Sequence, residues 1–104
     1  MKIYRQGDVL LVQVPAIPSL ALPVISDAHE RIVLAHGEVT GHAHAIYEPQ
    51  KVLAWSADAE RFIQVIEEVA LRHEEHDAIT LDPGIYHVAI QTEYTPEELR
   101  NVAD

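Results

Sequence analysis

Histidine is the anomaly of this chain: it occurs seven times in 104 residues, while cysteine is absent. Disulfides, thiolate metal sites and a cysteine nucleophile are therefore excluded, and any metal must be held by imidazole and carboxylate. The densest pattern is Gly41-His42-Ala43-His44. On a strand, alternate side chains share a face, so His42 and His44 point the same way and their ring nitrogens can converge on one ion. Thr40 and Ile46 share that face, and the small residues Gly37, Gly41, Ala43 and Ala45 leave space around the rings. Glu48 follows His44 by four residues and can swing in from the next turn. Two histidines on a solvated strand face would give the same string.

A second cluster runs from Pro83-Gly84 through His87 to Gln91. Tyr86, Val88 and Ile90 form an apolar face; Ile85, His87, Ala89, Gln91 and Glu93 form the other. A plain amphipathic strand with a wet histidine would show the same alternation. The third cluster is His73-Glu74-Glu75-His76. Read as a strand, it places His73 and Glu75 on the side of Val69 and Leu71, towards the core. Charged groups are seldom put there unless paired or bound to metal. His76, next to Asp77, can fold back from a turn. The spacing is one residue short of the His-Glu-x-x-His of metalloproteases. The segment supplies a ligand, or a carboxylate that orients one, or simply a solvated acidic turn.

The first two clusters together resemble the paired motifs of the cupin family. Gly37, His42, His44 and Glu48 match the first motif, with one residue fewer between the glycine and the first histidine. Pro83, Gly84 and His87 resemble the second, although Pro83 and Gly84 are adjacent rather than separated and Gln91 stands where asparagine is usual. The glycine expected after Glu48 is absent. The resemblance covers residues 37–48 and 83–91. It implies a small β-barrel holding one divalent metal through His42, His44, Glu48 and His87. The strings Gly-Glu-Val-Thr-Gly-His-x-His, His-x-Glu-His and Gln-x-Glu-Tyr also resemble a small group of uncharacterised bacterial and phage proteins, which brings no activity with it.

The candidate metal residues are thus His42, His44, His87, His73, His76, Glu48 and Glu75. Three imidazoles with a carboxylate suit Zn, Fe, Ni, Cu or Mn. An open coordination position would acidify water or hold a chelating small molecule, with Glu75, Glu93 or Tyr94 as general base or acid. No nucleophile elbow, phosphate-binding glycine loop or paired-carboxylate constellation is present. The expected function is a small metal-binding, cupin-like protein. The alternatives are a phage-associated or accessory assembly protein whose histidines line an interface, and a structural domain with scattered surface histidines.

The elements that must position these groups read mostly as strands. Ile3-Tyr4 and Val9 to Val14 flank a Gln6-Gly7-Asp8 turn. Pro15, Pro18 and Pro23 mark a loop or irregular edge. Arg31 to Ala35 turns at His36-Gly37 into Glu38 to Tyr47, a hairpin. Glu48-Pro49-Gln50 is a turn before the strand Lys51 to Trp55, and Ser56 to Ala59 is another. Residues 60–76 fit either a helix capped by Asp58 or a hairpin of Arg61 to Ile66 and Val69 to His73; the strands on both sides favour the hairpin. Asp82-Pro83-Gly84 precedes a strand from Ile85 to Tyr94. Thr95-Pro96-Glu97-Glu98 predicts a short C-terminal helix from Pro96 to about Val102. Trp55 and Phe62 are assigned to the core, His29 and His36 to the surface. The sum is an all-β, cupin-like barrel or sandwich of seven or eight strands with one short helix.

Length fits a single domain, residues 1–104. Seven basic against 17 acidic residues give a net charge of -10, which repels phosphate backbones and excludes non-specific nucleic-acid binding. No membrane-spanning or signal-like segment is seen, so a cytoplasmic protein is expected. Apolar strands in so short a chain also suggest a homo-oligomer.

Overall fold

The computed structural model describes residues 1–24, 31–36 and 41–91. Among them are ten strands and no α-helix. In chain order the strands are β1 (Ile3–Gln6), β2 (Val9–Val14), β3 (Leu22–Pro23), β4 (Ile32–His36), β5 (Ala43–Ile46), β6 (Val52–Ala57), β7 (Glu60–Val65), β8 (Val69–Arg72), β9 (Ile79–Leu81) and β10 (Gly84–Ile90). A six-stranded sheet has the order β1-β2-β10-β7-β6-β3, and a four-stranded sheet the order β4-β5-β8-β9. All pairings are antiparallel. No helix among the described residues is long and apolar enough to cross a membrane.

Period-two alternation explains how the sheets share one core. Val9 and Leu11 of β2, Ile63 and Val65 of β7, and Tyr86 and Val88 of β10 point inward from the larger sheet. Ile32 and Leu34 of β4, Ile46 of β5, Val69 and Leu71 of β8, and Leu81 of β9 meet them from the smaller one. Two polar contacts support this packing. The guanidinium of Arg61 on β7 donates to the carbonyls of Leu34 (2.7 Å) and Val33 (3.0 Å), where the β4–β5 register shifts. The Tyr86 hydroxyl donates to the Asp82 carbonyl at 2.7 Å, and burial pushes its pKa up to about 12.

The all-β reading holds, with four corrections. Residues 61–73 are strands but not a hairpin: β7 is hydrogen-bonded to β6 on one side and β10 on the other, so β8 crosses to the second sheet and pairs with β5 and β9. The strand count rises from seven or eight to ten because two very short strands escape a periodicity search. One is β9; the other is β3, an edge strand containing Pro23. Trp55 is only half-buried, with an indole Nε1 that is buried yet lacks a hydrogen-bond partner, whereas Phe62 is buried as expected. Glu48-Pro49-Gln50 becomes a single 3-10 turn, Pro49–Lys51. His36 is exposed, as assigned. The C-terminal helix, the end of the strand to Tyr94, Glu93, His29 and residues 37–40 lie outside the described residues.

Candidate metal centre

Three separate segments converge beside the core: the β1–β2 turn, the start of β5, and the connection from β8 to β9. The β5–β8 register pairs Ile46 with Leu71 and Ala45 with Arg72. One and two steps further along, His44 falls opposite His73 and Ala43 opposite Glu74. The rings of His44 and His73 accordingly lie 4.3 Å apart, and the Ala43 N–H donates to Glu74 Oε2 at 3.0 Å. His73 is the hub, with His76 at 4.8 Å and His42 at 5.8 Å between ring centroids.

His44 forms the floor, only 2% exposed. Buried Gln6, the last residue of β1, fixes its orientation. The Gln6 amide nitrogen donates to the carbonyls of Leu71 and Asp77, each at 2.9 Å, so its oxygen faces His44 Nδ1 at 2.8 Å. An amide oxygen only accepts, hence Nδ1 carries the proton. Burial pushes the His44 pKa down, neighbouring His73 pushes the same way, and Asp8 opposes them. The neutral ring thus presents a bare Nε2 lone pair to Asp8 Oδ1, 3.2 Å away. Two acceptors facing each other call for a proton or a cation.

On the outer side, His42, His73 and Glu74 each offer a donor atom, and all three atoms lie within 4.8 Å of one another. His42 Nδ1 is buried and has no hydrogen-bond partner. Its nearest acid, Glu75 Oε1, is 3.7 Å away, beyond hydrogen-bond reach. The Ala43 N–H is the main cause that holds the Glu74 carboxyl below its ordinary pKa, keeping it an anion. His73 Nδ1 accepts the Glu75 N–H at 3.0 Å. His76 rests on Gly7: a Cβ there would come within 2.7 Å of His76 Nε2 and 3.2 Å of His44 Cε1, and its φ of +59° also favours glycine.

The structure brings His42, His44, His73, His76 and Glu75 together, but not Glu48 or His87. Glu48 pairs with Lys51 at 2.8 Å in the 3-10 turn. His87 lies on the outer face of the large sheet, because its neighbours Tyr86 and Val88 take the inner face, and its ring contacts Phe62 at 5.1 Å. The four-residue set that the cupin resemblance implies is therefore not assembled. Glu75 is exposed rather than core-facing, since β8 ends at Arg72 and alternation stops there. Gln6, Asp8 and Glu74 were missed: the first two read as turn residues, and Glu74 as the outward neighbour of Glu75.

An open cavity of about 540 Å³ borders the cluster, with Tyr47, Arg72, His73, Glu74, His76 and Asp77 among its lining. Tyr47 is steadied by Arg31, which donates to its hydroxyl at 3.1 Å and lies 5.8 Å from its ring centroid.

Fold and site together define an all-β domain with an imidazole–carboxylate cluster at the junction of its two sheets. Residues 5–91 match a family described as Domain of unknown function (DUF8820), and the chain belongs to that family. No curated protein and no solved structure matches it.

Proposed function

We propose that this chain is a small divalent-metal-binding protein whose ion is held by His42, His73 and Glu74, above the buried His44. Two observations carry this reading: His42, His73 and Glu74, from two distant segments, bring one donor atom each within 4.8 Å of one another, and the same His42 has a buried Nδ1 with no hydrogen-bond partner. A buried polar atom without a partner is costly, and a cation among two imidazoles and a carboxylate satisfies it. The set suits Zn, Fe, Ni, Cu or Mn, and three protein donors leave room for water or a ligand oxygen. Such an ion would acidify bound water or polarise a chelated substrate. The cupin resemblance agrees in kind, an imidazole–carboxylate site on an all-β scaffold, but the donors differ.

The test is elemental analysis of untagged protein grown with supplemented metals. Wild type should carry about one divalent ion per chain, and His42→Ala with His73→Ala should carry almost none while keeping the wild-type β-sheet circular dichroism. Metal-free wild type, or a folded double variant that stays loaded, would overturn the reading.

A further inference from the structure

We infer that the cavity beside the cluster binds a small hydroxycarboxylic acid, its carboxylate on Arg72 and its hydroxyl oxygen directed to the ion. The inference rests on the metal reading and adds the class of ligand. Arg72 is the strongest clue. In a chain with seven basic and 17 acidic residues, this guanidinium is exposed and has neither a hydrogen bond nor an ion pair to any described residue. Lys2, by contrast, pairs with Asp82, and Lys51 pairs with Glu48. A guanidinium's rigid fork matches a carboxylate in a bidentate way, which a point charge does not.

Position supplies the rest. Arg72 precedes His73 in the chain, and both line the same cavity with Glu74. An acid held by Arg72 therefore directs the oxygen on its neighbouring carbon towards the ion, where it fills one open position. Asp77 and His76, also on the lining, accept the hydroxyl proton or a donor on the ligand's far side. The Tyr47 ring, held by Arg31, gives the aliphatic part an apolar wall. The cavity, about 540 Å³, falls within the usual range for small-molecule sites and admits acids of several carbons.

The experiment uses the full chain, first titrated with zinc alone, then with glycolate, following the backbone amide signals of residues 72–78 by NMR. Zinc-loaded wild type should bind glycolate. Acetate, without the hydroxyl, and glycolamide, without the carboxylate, should each bind about tenfold more weakly. Arg72→Gln should take up zinc as wild type does, since its side chain is exposed and is not a ligand, yet lose about tenfold in glycolate affinity. Zinc binding with no glycolate response, or equal glycolate affinity in Arg72→Gln, overturns the ligand assignment and leaves the metal reading standing. Failure of wild type to bind zinc or any of the other candidate metals overturns both.

Discussion

The Nδ1–H of His44 donates to the side-chain oxygen of Gln6 across 2.8 Å, and this one bond decides which imidazole nitrogen is left for other work. Gln6 is itself fully used, with its amide nitrogen shared between the Leu71 and Asp77 carbonyls. It thereby fastens the end of β1 in one sheet to β8 and the following turn in the other. Replacing Gln6 by Leu strips two buried groups, His44 Nδ1–H and the Leu71 carbonyl, and the part-buried Asp77 carbonyl of their partner at once. An unsatisfied buried group costs about 1–3 kcal/mol. Urea unfolding of Gln6→Leu should accordingly show a loss of about 3 kcal/mol or more. A loss below about 0.5 kcal/mol would mean that the bridge is not what joins the sheets there.

The buried position of His44 has a pH consequence. Its folded pKa lies below the ordinary 6.5 because burial disfavours the charged ring. As pH falls below 6.5, the unfolded chain takes up a proton that the folded chain refuses, so stability declines with acidification. The contribution is complete above the ordinary pKa and is lost progressively below it. Unfolding of the metal-free protein at pH 8, 6 and 5 should show this decline, and His44→Gln should flatten it. Equal slopes for the two proteins between pH 8 and 5 would refute the assignment.

Glu74 and the two residues left outside the cluster give a sharp contrast. Glu74→Gln keeps an oxygen for the Ala43 N–H but removes the anion that faces His42 and His73. Metal affinity should fall about tenfold or more, with little change in melting temperature. His87→Ala and Glu48→Ala should leave affinity unchanged, because one ring lies on Phe62 and the other carboxylate on Lys51. Competition against a chromophoric chelator measures all three. If His87→Ala loses metal as Glu74→Gln does, the ligand set is wrong.

Much of this was legible in the residues, for reasons that also mark where legibility ends. The nearly continuous apolar run Val9–Val14 reads as a strand buried on both faces, although only Val9 and Leu11 are fully buried, and the spacing of Val69 and Leu71 marks a second strand and the inward reach of His73. Alternation says nothing about which strand is the neighbour. Hence Glu60–Val65 and Val69–Arg72 look like a hairpin, although they belong to different sheets. His87 has the same ambiguity in miniature: Tyr86 and Val88 are apolar and His87 is not, which is the pattern of a wet outer face as much as of a lined site. Gln6 and Asp8 stayed hidden because their partners are about 40 and more residues away in sequence for Gln6 and 36 for Asp8, a distance only the fold closes.

The last prediction concerns what the β8–β9 connection must do when an ion arrives. His73 Nδ1 now accepts the Glu75 N–H. A neutral imidazole has one lone pair and one N–H. If the ion takes Nδ1, it replaces the Glu75 N–H directly. If it takes Nε2, the ring proton moves to Nδ1 and faces the Glu75 N–H, donor against donor. Either route breaks the bond, so metal loading and this hydrogen bond are mutually exclusive. Glu75 then turns away from His73, and its amide is released to solvent or to a new acceptor. Adding zinc should shift the Glu75 amide resonance and quicken its hydrogen exchange, while the Ala43 amide, held by Glu74, keeps its protection. An unchanged Glu75 amide in fully loaded protein would show that His73 is not a ligand and that the ion sits elsewhere in the cluster.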